Sequence, residues 1–143
     1  MRAKNGTSVD DLVVHLLHRV AQRADDIFAK EVNGTDLTPR QFAVLLTVAR
    51  SEDPSQTTLV ECAGIDRSTI AEMVRRMVGK RLLQRRRSRQ DARAYVVRLT
   101  GAGRKLLKSV EPKALRADTA ILARLGAEQR RAFIEALRIV SSP

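Results

Sequence analysis

Between Arg75 and Arg93 the chain carries Arg75, Arg76, Lys80, Arg81, Arg85, Arg86, Arg87, Arg89 and Arg93 against one acid, Asp91. Guanidinium groups at this density suit phosphate: each is a rigid fork of N–H donors that stays charged at any physiological pH. Such a patch is the electrostatic footprint of a nucleic-acid backbone site, and a merely solvated face is the other account of it. Enzyme chemistry lacks its residues. There is no glycine-rich phosphate loop and no nucleophile elbow, and the two histidines, His15 and His18, sit one helical turn apart. One cysteine, Cys62, cannot form an intrachain disulfide, and no cluster has metal-ligand spacing. The expectation is a binding protein with no cofactor and no metal.

Composition points the same way. Among 143 residues, 27 Lys and Arg face 16 Asp and Glu, a net charge of +11, and 43% hydrophobic residues suffice for a core. That excess exceeds what solubility needs and implies an anionic partner. It is also segregated, because 19 of the basic residues and only 5 of the acids follow Val74. No apolar run approaches the roughly 20 residues of a membrane span. Met1-Arg2-Ala3-Lys4-Asn5-Gly6 leads into an acid-dotted amphipathic stretch and not into a signal-peptide core. A cytoplasmic protein without membrane contact is expected.

The elements that position these charges follow from local pattern. Ser8 starts a helix of about twenty residues, with Val9, Leu12, Val13, Leu16, Leu17, Val20, Ala24, Ile27 and Phe28 at helical spacing, ending near Asn33-Gly34. Thr38-Pro39-Arg40-Gln41 starts a second helix whose buried face reads as Phe42, Leu45, Leu46 and Ala49. After a loop over residues 51–55, a short helix from Gln56 to Ala63 should bury Leu59, Cys62 and Ala63, with Gly64 as its stop. Asp66 or Arg67-Ser68 starts the next, with Ile70, Met73, Val74 and Met77 inward and Arg67, Ser68, Thr69, Glu72, Arg75 and Arg76 outward. Helix, glycine turn, helix is the helix-turn-helix pattern.

Beyond Gly79 the period changes to two. Residues 83–87 and 94–99 read as strands joined by a charged tip over residues 88–93, which makes a wing. Thr100 caps a fifth helix running to about Leu125, which Pro112 should kink or interrupt. After Gly126 a last amphipathic helix carries Phe133, Ile134, Leu137 and Ile139 or Val140. The fold class is mainly α with a small β-hairpin wing: a winged helix-turn-helix with N- and C-terminal dimerisation helices. The outer helices (residues 8–33 and 101–141) hold more apolar surface than the lobe at 38–100 can cover, so a second copy related by a twofold axis is the economical partner.

The chain resembles the MarR family of bacterial winged-helix transcriptional regulators over essentially its whole length. The resemblance rests on Leu37-Thr38-Pro39-Arg40-Gln41-Phe42-Ala43-Val44-Leu45, on Asp66-Arg67-Ser68-Thr69-Ile70, and on Asp91-Ala92-Arg93 followed by Leu99-Thr100 and Gly103. It implies a single protomer spanning 1–143, dimerisation through the outer helices, and regulation of transcription from double-stranded DNA, read here as repression at a pseudo-palindromic operator. It further implies a small effector between the dimerisation helices and the winged helix, commonly an anionic aromatic compound. Two departures are the heavy run Arg85-Arg86-Arg87 and the low aromatic content, 3%.

Candidate site residues follow. Arg67, Ser68, Thr69, Arg75 and Arg76 face the major groove, where Ser68 and Thr69 either contact DNA or only cap the helix. Glu72 either accepts from a cytosine amine or orients Arg75 and Arg76. Thr57 and Thr58, opening the preceding helix, suit phosphate contacts through hydroxyl and backbone N–H. By resemblance Arg93 is the wing arginine of the minor groove, held by Asp91, and Arg89 is a second wing candidate. His15, His18 and Arg19 form a group able to hold a carboxylate of an aromatic acid or acyl-CoA-type ligand, or else pack between subunits. Cys62 reads as a buried structural thiol, with a thiol-based redox switch as the alternative. An RNA-binding protein is the other alternative, but Tyr95 and three Phe give no stacking platform.

Overall fold

A computed structural model describes residues 6–143. The opening stretch Met1–Asn5, used above to argue against a signal peptide, lies outside the described residues. The chain divides into two compact units, residues 34–113 and residues 6–33 with 114–143 among those described.

In the first unit, helix α2 (Pro39–Arg50) starts as the sequence demands. Thr38 Oγ1 accepts from the Gln41 backbone N–H (3.2 Å), while Gln41 Oε1 accepts from the Thr38 N–H (3.1 Å). Its buried face is not the one expected. Val44, Leu45 and Val48 point inward, Phe42 and Leu46 are half-buried and Ala49 is exposed. Residues 42–49 are apolar on nearly every side, so periodicity alone does not fix the phase and tertiary packing does. Helix α3 (Gln56–Ala63) has a Ser55–Thr58 capping box and ends at Gly64, whose φ of 62° is the left-handed conformation a glycine adopts freely. Helix α4 (Arg67–Gly79) buries Ile70, Met73, Val74 and Met77, the expected stripe.

Strands β1 (Leu83–Arg87) and β2 (Tyr95–Leu99) pair antiparallel with Leu83 opposite Leu99 and Arg87 opposite Tyr95. Pro54 extends this ladder, its carbonyl accepting from the Val97 N–H at 2.8 Å. Helix α5 (Gly101–Ile121) begins at Thr100, whose Oγ1 accepts from the Gly103 N–H (2.9 Å) and donates to the Arg81 carbonyl (2.6 Å). The core of this unit is Val44, Leu45, Leu59, Ile70, Val74, Met77, Leu83, Val97 and Val110.

Helix α5 is not interrupted at Pro112, and it stops at Ile121, short of the expected Leu125. Pro112 and Lys108 are both exposed, so the carbonyl that loses its donor faces water and the helix tolerates the ring. Past Ile121 the backbone tightens into three-residue bonds such as Leu125 N–H to the Leu122 carbonyl (3.0 Å).

The second unit holds helix α1 (Val13–Glu31), the end of α5 and helix α6 (Ala127–Ser141). Ser8 does not open α1. It caps a single 3-10 turn, Val9–Asp11, and the extended Leu12 separates that turn from the helix. Phe28, Val32, Ala114 and Ala117 are buried, whereas Val13, Leu16, Leu17, Val20, Ile134, Leu137, Ile139 and Val140 are exposed. Two helices thus leave an apolar face to water, more than a monomer of this size ordinarily leaves.

Candidate nucleic-acid interface

The start of α4 is organised by Asp66. Its carboxylate accepts from the Thr69 hydroxyl (2.6 Å), the Ser68 hydroxyl (2.7 Å) and the Thr69 backbone N–H (2.9 Å), and these three bonds, the Thr69 hydroxyl first, hold its pKa far below the usual carboxylate range. Asp66 is therefore the cap, and the cap persists over the whole neutral range, because a depressed carboxylate loses its contribution only as pH falls through its lowered value. Ser68 and Thr69 spend their protons on Asp66. Their oxygens keep lone pairs outward, so in this rotamer they offer acceptors to a base amine and no donor to a phosphate.

One turn on, Glu72 receives Arg75 through two bonds (Nε to Oε2, 3.0 Å; Nη2 to Oε1, 2.8 Å) and Arg76 through one (Nε to Oε1, 2.7 Å). These donors, Arg75 first, lower the Glu72 pKa. Of the two roles open to Glu72, orienting the arginines is the one it performs in the protomer. Among the described residues the outer Nη fork of Arg76 has no partner, whereas Arg75 has one edge committed.

The α3 start, the α4 start and the wing meet. Arg67 Nη1 approaches Thr57 Oγ1 at 3.4 Å, and Arg85 Nη2 donates to Gln56 Oε1 at 3.2 Å. The structure separates the threonine pair: Thr57 is exposed beside Arg67, while Thr58 closes the capping box with both its hydroxyl and its N–H engaged by Ser55. Thr58 has no N–H left for a phosphate.

At the tip, Asp91 Oδ1 accepts from the Arg93 backbone N–H (2.9 Å), and Ser88 Oγ accepts from the N–H groups of Gln90 and Asp91. Asp91 braces the turn and leaves the side chain of Arg93 alone. Among the described residues neither Arg93 nor Arg89 has an ion-pair or hydrogen-bond partner for its guanidinium, and both are exposed. Arg87 is committed elsewhere: it donates to the Ala92 carbonyl (2.7 Å) and lies over the Tyr95 ring at 4.8 Å. Lys80 is likewise paired, with Asp36.

Three features escaped sequence reasoning or corrected it. Asp53 and Arg98 form a two-pronged ion pair (2.7 and 2.8 Å) that ties the loop before α3 to β2. The Asp53 φ of 45° is an unusual backbone for a non-glycine residue, and no sequence period signals a pairing so remote. Cys62 is exposed and not buried. On α3 Leu59 is the buried residue, and Cys62, one turn on and two residues before the Gly64 stop, is exposed, with Ala63 half-buried. His15 is half-buried, His18 is exposed, and Arg19 is paired with Asp10 at 3.1 Å.

Comparison with known proteins decides the affiliation. A family model described as MarR family matches residues 35–94, from before α2 through β1 and the hairpin tip. Transcriptional regulator HosA of Escherichia coli O157:H7 is 35% identical over 103 residues, 72% of this chain and 76% of HosA. The chain belongs to the MarR family. A second relative, the HTH-type transcriptional repressor NicR of Pseudomonas putida, is 31% identical over 130 residues, 91% of this chain and 82% of NicR. BpsR of Bordetella bronchiseptica, whose structure concerns regulation of its DNA binding by 6-hydroxynicotinic acid, superposes with a TM-score of 0.89 at 28% identity, covering 97% of this chain and 99% of that one. In MarR-family terms α3–α4 is the helix-turn-helix and β1–β2 the wing, and these relatives are named as regulators of transcription. Among the described residues no helix is long and apolar enough to cross a membrane.

Proposed function

We propose that this MarR-family chain is a homodimeric, sequence-specific repressor of the cytoplasm that binds a pseudo-palindromic duplex operator and is released from it by a small anionic ligand. One observation carries the reading: the α3 and α4 starts converge with a wing whose Arg89 and Arg93 guanidinium groups are exposed and unpartnered. Unpaired surface cations at a helix-turn-helix match the charge and width of a duplex groove. NicR is named a repressor and BpsR has its DNA binding regulated by an aromatic acid, which supports repression and a ligand of that class. A genomic footprint of the bound protein tests it, with protected half-sites about 34 Å apart, one turn of duplex.

In this reading Arg76 and Arg67 reach the major groove with Ser68, Thr69 and Thr57, and Arg93 enters the minor groove. Arg93→Ala should then weaken operator and scrambled duplex alike and flatten the salt dependence by about one unit, measured by fluorescence anisotropy between low and moderate salt. Affinity unchanged at matched salt would leave Arg93 outside the interface.

Dimerisation uses the uncovered faces of α1 and α6. Leu16→Glu, at a position already 40% exposed in the protomer, should leave the α2–α5 lobe folded yet shift light scattering from about twice 15.9 kDa to the monomer mass. The same mass for wild type and Leu16→Glu would remove α1 from the seam. The effector is assigned to His15, His18 and Arg19, with Arg19 exchanging Asp10 for the ligand carboxylate.

A further inference from the structure

The loop between α2 and α3 runs along one edge of the wing. Val97 N–H, on the edge of β2 that faces away from β1, donates to the Pro54 carbonyl at 2.8 Å. One residue along, Asp53 takes Arg98 with both carboxylate oxygens, Nε to Oδ1 at 2.7 Å and Nη2 to Oδ2 at 2.8 Å. Nearer the tip, Arg85 Nη2 donates to Gln56 Oε1 at 3.2 Å. These links join residues 53–56 to both wing strands, and Ser55 in their midst is the cap of α3. All of them lie within the unit of residues 34–113.

Asp53 holds its place against local preference. Its φ of 45° lies in the left-handed region, whereas the residue before a proline favours extended backbone. Such a backbone persists where its surroundings over-determine it, and here the two-pronged ion pair and the Pro54 bond do so. The side chains of Arg98 and Asp53 are 36% and 34% exposed, so water screens this pair less than it screens Arg19–Asp10. The wing itself is a two-stranded ribbon, a unit with little stability of its own. Arg93 lies five residues from Arg98 toward the tip, a reach of at most roughly 16 Å at about 3.3 Å per residue. A tilt of about 10° at Arg98 then moves Arg93 by up to about 3 Å, half the roughly 6 Å width of a minor groove.

We propose that Asp53 and Arg98 are positioning residues for DNA recognition: their ion pair fixes the angle of the wing against α3, and so sets how accurately Arg93 meets the minor groove while α4 lies in the major groove. Neither side chain need touch DNA, because Arg98 spends its Nε and Nη2 donors on Asp53. The pair acts through the wing, at a distance from the arginine it serves. Its place in recognition rests on the regulator reading; its hold on the wing angle does not.

Two variants of the full-length protein test it. Asp53→Asn removes the charge but suits the same left-handed backbone, and Arg98→Lys keeps the charge but loses the two-pronged grip. Spin labels on the exposed Cys62 of α3 and on Gln90→Cys at the wing tip, in labelled protein diluted with unlabelled chain, report the wing angle without DNA. A narrow distance distribution in the otherwise unchanged chain should broaden in both variants. Asp53→Asn should also weaken operator binding about threefold, although the positive charge it adds by itself favours DNA. The factor by which Arg93→Ala weakens the operator should shrink about threefold or more in the Asp53→Asn background, whereas a purely structural pair would leave the two losses additive. Distances unchanged in both variants overturn the proposal, and so do additive losses. Failure of wild type to bind either operator or scrambled duplex overturns the regulator reading instead, and the distances, taken without DNA, stand apart from that result.

Discussion

Gly103→Ala is expected to destabilise the protein by about 3 kcal/mol and to lower its melting temperature by roughly 10 °C, the largest single effect of one added methyl group anywhere among the described glycines. A Cβ built on Gly103 would lie 2.1 Å from the Leu82 carbonyl oxygen, 3.1 Å from the Leu82 carbonyl carbon and 3.3 Å from Leu99 Cδ2. The first contact is with backbone, so no rotamer change relieves it. The Leu82 carbonyl is itself pinned, accepting from the Thr100 N–H at 3.1 Å, and Leu83 beside it is buried at the start of β1. Room for the methyl therefore requires the first turn of α5 to lift from the turn at Leu82 that leads into β1, which disturbs the wing as well. Gly101→Ala is the control. The same helix begins there, but nothing lies within 4 Å of a Cβ, so the substitution should be neutral or slightly stabilising by reducing unfolded-chain entropy. Thermal melts of the two variants decide the point, and equal melting temperatures would refute the close-approach account.

Gly103 also shows where sequence reasoning reaches and where it stops. That a glycine stands three residues after the Thr100 cap is visible in the chain; that it faces a carbonyl from the far side of the hairpin is not. The limits of α3 and β1 were legible to the residue because their punctuation is local: Gly64 and the switch from period 3.6 to period 2 need no tertiary knowledge. The buried stripe of α4 was legible because its other face is charged. The face of α2 was not, since Val44 and Val48 compete with Leu46 and Ala49 on equal terms until packing chooses. That α5 continues past Pro112 was not legible, because the penalty of a mid-helix proline depends on whether water reaches the orphaned carbonyl, a property of the folded surface. That Arg67, Arg75, Arg76 and Arg89 are exposed was legible from charge and spacing, and Arg93 came from the family resemblance. How many of their donors are already used was not, because Glu72, Thr57 and Asp91 act through particular atoms. Asp53–Arg98 left no trace, as two opposite charges in a loop and a strand form no pattern until the fold brings them together.

The use of donors around Glu72 yields the second large effect. Arg76→Ala should cost about 1–3 kcal/mol in operator affinity and relax the preference at one base pair, because its free Nη fork matches the two acceptors of a guanine edge. Arg75→Ala should cost less. Its Nε and Nη2 are already held by both oxygens of Glu72, so its outward capacity is nearer to that of a single phosphate contact. Glu72→Gln then inverts the pattern. It removes the only acid on the exposed face of α4 and releases both arginines, so binding to a scrambled duplex should tighten and its salt dependence steepen by about one unit. Operator affinity should gain less, because Arg76 loses the carboxylate that fixes its direction and spends part of the new attraction on reordering. The ratio of operator to scrambled affinity, which is what specificity means, should fall. Because the two arginines hold the Glu72 pKa below the ordinary range, protonation does not mimic the variant at neutral pH, and the ratio should stay level between about pH 6 and pH 8 as far as Glu72 is concerned. Anisotropy titrations of wild type and the three variants on both duplexes, at two salt concentrations, separate these expectations. If Glu72→Gln instead weakens the operator and leaves the scrambled duplex untouched, then Glu72 accepts from a cytosine amine in the complex, and its grip on Arg75 and Arg76 belongs to the free protein alone.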